Sequence, residues 1–239
     1  MVKQKLINSN QKMTSDIIAI FPLPIYKTNI GREFTKQEQD ELDVITSEQL
    51  KEADMKGTGG AKNISIDHYL LNRKIFSSFH SFILHHLKEF VTTVIGIDIS
   101  KSTWFPHICQ SWLNTFEPNH QDSFHAHRNC VISGVFYINC LEYSGDKPDG
   151  IVFAPTSHHM LEEFDLPPDI IEDTMFSDKP YHVPAVEGDL ILFPSTAYHR
   201  VNLNETSDQT RISLAFNTFF FGVLGDYENV SELILKQEK

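Results

Sequence analysis

The stretch HAHRNCVISGVFYIN, residues 125–139, joins two histidines separated by one residue to a long apolar run. Successive side chains of an extended chain point to opposite faces, so His125 and His127 are expected to point the same way. The apolar run behind them is typical of a buried strand. The stretch therefore predicts two imidazoles on one face at the mouth of a core strand.

The chain around this stretch is predicted to be mainly β. After residue 103, short apolar runs alternate with turn residues and no regular helices intervene, which indicates a β-sandwich or barrel. Upstream, Thr35 and Glu38 form a possible capping box that opens a helix at about 35–55. Apolar residues at helical spacing predict an amphipathic helix at 72–95 that covers a sheet. We expect a disordered tail at 1–16 and one domain at 17–239.

Two further segments are expected to form loops. GTGGAKN, residues 57–63, is rich in glycine but lacks the Gly-Lys-Ser/Thr ending of a phosphate-binding loop, so it predicts a flexible connection. The segment 155–184 is too long and irregular for an ordinary connection. Loops of that size are usually functional and often act as lids.

Composition narrows the classes of partner. The formal charge is −12, from 32 acidic and 20 basic residues, and no basic cluster is present, which argues against nucleic acid and anionic membrane surfaces. Three cysteines without a C-x-x-C spacing predict reduced thiols. The polar start does not read as a signal peptide, and no run of about eighteen apolar residues occurs. We expect a soluble cytoplasmic protein without a membrane segment.

Two later features could complete a site with the histidine pair. His199 ends the apolar segment DLILFPSTAYH, and Arg211 opens RISLAFN, in which Arg211, Ser213, Ala215 and Asn217 share one strand face. Neutral imidazoles suit iron, zinc, nickel and copper, and an arginine beside a serine can bind a carboxylate. The polar stretch VNLNETSDQT between His199 and Arg211 predicts a hairpin, which would pair the two strands.

The order of these pieces resembles the Fe(II)/2-oxoglutarate-dependent oxygenase superfamily, and within it a poorly characterised group with an H-x-H…H…R-x-S pattern. The pieces that carry the resemblance are SWLNTF, HAHRNCVISGVFYIN, GDLILFPSTAYHRV and RISLAFN. The resemblance implies a double-stranded β-helix, a cupin-like jelly roll with supporting helices. It also implies iron and 2-oxoglutarate as cofactors and a hydroxylation that releases succinate and CO2.

Residue by residue, the resemblance implies that His125 and His199 bind the metal and that Arg211 and Ser213 hold the cosubstrate. His127 stands where the superfamily usually has aspartate or glutamate. We expect a site of three histidines, with completion by Asp122 or by water as the alternative. Asn114 and Tyr137 are further cosubstrate candidates, and Trp112 and Phe116 share a face with Asn114 and could line the same cavity.

Three functions remain open from the sequence. The leading one is a 2-oxoglutarate-dependent oxygenase acting on a small molecule, an amino acid or a peptidyl residue. A three-histidine cupin-type dioxygenase would explain His127 but leaves Arg211 and Ser213 without a role. A jelly-roll protein that binds metal without catalysis is the third. The sequence fixes neither the substrate nor the oligomeric state.

Overall fold

The computed structural model describes residues 22–53, 62–142, 148–155 and 179–236, with the backbone of the first two strands. These strands, β1 (Val2–Leu6) and β2 (Met13–Ile17), pair antiparallel with Val2 opposite Ile17. The chain thus forms a hairpin where its polar composition predicted a disordered tail at 1–16, because strand pairing uses backbone groups that any residue supplies. Most of the predicted lid at 155–184 lies outside the described residues.

Two helices follow, and both differ in extent from the predicted ranges. Helix α1 (Lys36–Glu48) begins at the predicted capping box, in which the Glu38 amide donates to Thr35 and the Thr35 amide donates to the Glu38 carboxylate. It ends before residue 55 because the chain turns into a strand at Leu50. Helix α2 (Ser77–Glu89) continues as a π-helical turn, Phe90–Val94, and is preceded by the 3₁₀ turns Leu70–Asn72 and Lys74–Phe76.

The remaining strands form two antiparallel sheets. Their bounds are β3 (Tyr26–Asn29), β4 (Leu50–Glu52), β5 (Asn63–Ser65), β6 (Trp104–Phe116), β7 (Ile132–Asn139), β8 (Gly150–Phe153), β9 (Tyr181–Pro184), β10 (Asp189–Pro194), β11 (His199–Arg200), β12 (Arg211–Leu224) and β13 (Leu233–Leu235). The large sheet has the order β3-β10-β7-β12-β6-β5-β4, with β13 also paired to β12, and the small sheet has the order β11-β8-β9. A further bridge joins His125 to His199 at the edge of the small sheet. A mainly β, jelly-roll architecture with flanking helices is confirmed.

The large sheet separates the helices from the small sheet, and β12 shows how. Its residues Leu214 and Phe216 are fully buried in the same apolar cluster as Phe79 of α2. Each such side chain contributes about 1.5–3 kcal/mol of burial free energy. Gly134 of β7 makes room for this packing, since a Cβ atom there would lie 2.2 Å from Cζ of Phe216. The opposite face of β12, which begins with Arg211, is left for the interior between the sheets.

The predicted pairing of the His199 and Arg211 strands is wrong. Strand β11 pairs with β8 in the small sheet, whereas β12 pairs with β6 on one side and β7 on the other. Both edges of β12 are therefore occupied, and β11 cannot join it. His199 and Arg211 nevertheless line one cavity, because it is enclosed between the two sheets. Within the described ranges, no helix is long and apolar enough to span a membrane.

Candidate metal centre and adjoining cavity

The three predicted metal ligands come together at one point. One ring nitrogen of each of His125, His127 and His199 lies within 4.8 Å of the others. The backbones of His125 and His199 exchange two hydrogen bonds of 2.9 Å, and their ring centroids are 4.5 Å apart. His127, two residues after His125, presents its ring to the same side, with the two ring planes 14° apart. A short antiparallel bridge thus brings together histidines that are 74 residues apart in sequence.

Each imidazole is held by a contact to the nitrogen that faces away from this point. His125 Nδ1 lies 2.7 Å from the carbonyl oxygen of Ser123, and His199 Nδ1 lies 2.9 Å from that of Ala197. A carbonyl oxygen only accepts hydrogen bonds, so each Nδ1 must carry the proton and donate it. The proton on Nδ1 leaves the Nε2 lone pair available for a metal ion.

His127 is oriented by a buried side-chain network. Its Nδ1 lies 2.5 Å from Oδ1 of Asn217 and 3.1 Å from the hydroxyl of Ser133. Ser133 also donates to Asn217 Oδ1 at 2.8 Å and bonds the hydroxyl of Ser195 at the same distance. The amide oxygen of Asn217 fixes the proton of His127 on Nδ1, as the two carbonyl groups do for the other histidines. All three Nε2 atoms are therefore available as ligand donors.

Burial keeps two of these histidines neutral. The pKa of His199 falls to about 3, first because burial removes water from the cation and then because His125 is close. Burial also lowers the pKa of His127, although the bond to Asn217 works in the opposite direction. The rings of Phe153 and Phe193 lie 6.0 and 4.7 Å from the His199 ring and exclude water from it. Neutral imidazoles are the form that binds metal, so the donor set fits ferrous iron.

The alternative ligand, Asp122, lies behind His125. Its Oδ1 is 3.9 Å from His125 Nδ1, the nitrogen that faces away from the cluster, and its Oδ2 forms a 2.5 Å ion pair with Lys62. Asp122 is buried and also accepts from the amide of Ser123. The carboxylate is thus held by a cation and placed to act on His125 through space. This geometry favours a ligand set of three histidines over one completed by Asp122.

The predicted cosubstrate residues form a row beside the metal cluster. Ser213 on β12 is directly opposite Asn114 on β6 and Tyr137 on β7, so the three side chains share one face of the large sheet. All three line the cavity that contains the histidines. No hydrogen bond joins the hydroxyl of Ser213 or Tyr137 to another described residue, whereas Asn114 Oδ1 accepts from Trp112. Two uncommitted hydroxyl groups therefore face the space next to the metal point.

Arg211, two residues before this row, is fully buried and already has an internal partner. Its Nε donates to both carboxylate oxygens of Asp149 at 2.8 and 2.9 Å, and its Nη2 also contacts Oδ1 of Asp149. Both side chains are 1 % exposed. Arg211 borders the metal cavity on one side and, with Asp149, a second and more polar cavity on the other. Arg211, which was predicted to bind the carboxylate of the cosubstrate, is thus already paired with the carboxylate of Asp149.

All seven predicted site residues line the metal cavity, together with Trp112, Phe116 and Asp122. Sequence reasoning missed the residues that hold them in place. The alternation of RISLAFN places Asn217 on the same strand face as Arg211, six residues further along, and this was the available signal for it. Lys62 is the penultimate residue of the glycine-rich stretch 57–63, which predicted only a flexible loop. Asp149 had no local signal, since it meets Arg211 from 62 positions away.

Comparison with known proteins gives one family match. Residues 110–217 match the model of a family described as "Putative 2OG-Fe(II) oxygenase". The matched residues include the three histidines and the first seven residues of β12, from Arg211 to Asn217. No curated protein matches the chain.

Many solved structures are similar to the chain, and three of them illustrate the fold. One is a prolyl-4-hydroxylase from Pseudomonas putida, with a TM-score of 0.50, 12 % identity and coverage of 82 % of this chain and 94 % of the other. A second is the non-heme alpha ketoglutarate dependent carbocyclase SnoK from nogalamycin biosynthesis, with a TM-score of 0.53, 12 % identity and coverage of 82 % and 79 %. The third is the epimerase SnoN in complex with Fe3+, alpha ketoglutarate and nogalamycin RO, with a TM-score of 0.52, 12 % identity and coverage of 84 % and 81 %.

The jelly-roll fold, the histidine cluster and the match over residues 110–217 all fit a non-haem iron enzyme. Residues 110–217, a little under half of the chain, are similar to the Fe(II)/2-oxoglutarate-dependent oxygenases. Fe(II) and 2-oxoglutarate are the cofactors that the matched family is named for, and the three-histidine cluster fits the metal.

Proposed function

We propose that this chain uses His125, His127 and His199 to bind Fe(II) and catalyses the hydroxylation of an unactivated C–H bond. The substrate is a small molecule, an amino acid or a peptidyl residue, and 2-oxoglutarate is converted to succinate and CO2. The observation that carries this proposal is the set of three Nε2 atoms that become available because each Nδ1 is bonded to an oxygen. When bound, the iron supplies the oxidising chemistry with molecular oxygen.

The residues around the metal point have distinct tasks. The hydroxyls of Ser213 and Tyr137 and the charge of Arg211 bind and orient the far carboxylate of 2-oxoglutarate. Asn114, in the same row, borders that space and holds the indole of Trp112. The apolar rings beside His199 keep water away from the reacting atoms, which strengthens every polar contact made there.

A test starts with succinate production. Purified chain and 2-oxoglutarate should release succinate only when Fe(II) and oxygen are both supplied, because substrate-free turnover still needs the metal. His199→Ala removes the buried ligand from the small sheet and should abolish stoichiometric Fe(II) binding and succinate release, with an unchanged circular dichroism spectrum. Unaltered iron affinity in this variant, measured by calorimetry without oxygen, would remove His199 from the ligand set.

One observation favours a second candidate, a three-histidine dioxygenase that does not use 2-oxoglutarate. The guanidinium of Arg211 is bonded to Asp149, so the site contains no free cation opposite the metal among its described residues. Calorimetry of the Fe(II)-loaded chain distinguishes the two. Saturable 2-oxoglutarate binding supports the oxygenase, and iron binding without any 2-oxoglutarate binding supports the second candidate.

A further inference from the structure

Asp149 is held by two backbone amides in addition to its ion pair with Arg211. Its Oδ2 accepts from the amide of Leu141 at 2.9 Å, and its Oδ1 accepts from the amide of Gly150 at 2.8 Å. Gly150 in turn packs against β9, where a Cβ atom would lie 2.1 Å from the carbonyl oxygen of Val183. The carboxylate is therefore held by two backbone amides, one just after β7 and one at the start of β8.

Arg211 reaches this fixed carboxylate with the donors that would form a fork with an incoming carboxylate. Nε and Nη2 both go to Asp149, and Nη1 lies 3.5 Å from the carbonyl oxygen of Asn202. A carboxylate that enters the metal cavity thus meets a guanidinium whose charge is already balanced. The like charge of Asp149 lies directly behind that guanidinium, and like charges at short range in a dry interior repel strongly.

A charge count over the described residues that line the cavity gives this arrangement a reason. Histidines that bind a metal ion do so as neutral imidazoles, Lys62 is paired with Asp122, and Arg211 is paired with Asp149. The protein groups therefore sum to zero, and Fe(II) with the 2-oxoglutarate dianion also sums to zero. If Asp149 were neutral, the charge of Arg211 would be uncompensated in this site, because its three metal ligands are neutral. In a site in which one metal ligand is a carboxylate, that carboxylate would compensate the arginine.

We propose that Asp149 is a specificity-determining residue, a built-in counter-ion that weakens the Arg211 clamp and sets how tightly the far carboxylate of 2-oxoglutarate is held. Recognition then depends on the hydroxyls of Ser213 and Tyr137 in addition to the arginine. This inference rests on the proposed function, because it concerns the cosubstrate of that same site. It assigns Asp149 a role that opposes cosubstrate binding, whereas an ordinary positioning residue would assist it.

The direct test is Asp149→Asn in the full chain loaded with Fe(II) under anaerobic conditions. Its dissociation constant for 2-oxoglutarate should fall at least tenfold, because the carboxylate now meets an unbalanced arginine. The dissociation constant for 2-oxobutyrate, which has the same chelating end but no far carboxylate, should not change. Glu38→Gln is the matched control, since it alters another arginine–carboxylate pair, in which the buried Glu38 of helix α1 bonds the half-buried Arg32. It should leave both dissociation constants unchanged.

A second pair of variants covers the case in which Asp149→Asn does not fold. Replacing a whole buried ion pair by apolar residues is often tolerated, whereas removing one partner is not. The double variant Asp149→Leu/Arg211→Met should therefore fold and bind 2-oxoglutarate at least tenfold more tightly than Arg211→Met alone, in which Asp149 stays unbalanced.

Two results would overturn the inference while leaving the proposed function in place. They are equal or weaker 2-oxoglutarate binding by Asp149→Asn, and a double variant that binds no better than Arg211→Met. A wild-type chain that binds Fe(II) but no 2-oxoglutarate, with the same result for Asp149→Asn, would instead overturn the proposed function together with the inference.

Discussion

Asn217 offers the sharpest test of how the protein holds its metal. In Asn217→Ala, His127 loses the 2.5 Å contact that fixes its proton and ring orientation. Loss of such a partner behind a metal ligand typically costs about 10–100-fold in metal affinity, or about 1.4–2.7 kcal/mol. The hydroxyl of Ser133 lies 3.1 Å from the same nitrogen and can replace part of the lost bond. We therefore expect a loss in the lower part of that range, and a larger one when Ser133→Ala is added.

The assay is a competitive calorimetric titration of Fe(II), without oxygen, on wild type and variants. Thr218→Val is the matched control, because it removes a buried bond from the next residue of β12, to the carbonyl oxygen of Ile132, without touching an imidazole. Asn217→Asp should retain or raise the affinity, since a carboxylate accepts from Nδ1 more strongly and adds negative charge near the metal. A change below threefold in Asn217→Ala, or an equal loss in Thr218→Val, would refute the reasoning.

Three further predictions concern charge. Asp122→Asn should keep stoichiometric Fe(II) binding with a loss below about tenfold, because Asp122 lies behind His125; a loss as complete as that of His199→Ala would make Asp122 a ligand. The free energy of unfolding of the metal-free chain should fall as pH falls from about 6.5 towards 3, by up to about 1.4 kcal/mol per pH unit. The reason is that folding lowers the pKa of His199 to about 3, so in this pH range only the unfolded chain binds a proton at His199. Urea unfolding of wild type and His199→Leu checks this, and parallel pH profiles would contradict it. Burial raises the pKa of Cys140 to about 12, and the charge of Asp149 adds to the shift. Iodoacetamide at pH 8 should therefore label Cys140 far more slowly in the native chain than in urea. Peptide mass mapping measures the two rates, and equal rates would contradict this prediction.

The sequence alone determined the features that repeat along a short stretch of chain. The alternation of RISLAFN placed Arg211 and Ser213 on one face, and the spacing of HAH placed two imidazoles side by side, because strand geometry puts every second side chain on the same side. The capping box opened α1 at the predicted residue for the same local reason. The jelly-roll class also followed, since many short strands without alternating helices have few ways to pack.

Only the tertiary structure decided which distant groups meet. The pairing of β11 with β8 rather than with β12 depends on which strand edges are already occupied. The sequence of the loop between His199 and Arg211 does not contain that information. Lys62 meets Asp122 across 60 positions and Asp149 meets Arg211 across 62, and no periodicity marks a single charged residue as the partner of another. These contacts exist because the sheets enclose a dry interior in which a charge must find a counter-charge. The sequence thus predicted the residues that the cavity brings together, and folding alone paired them with the charges of Lys62 and Asp149.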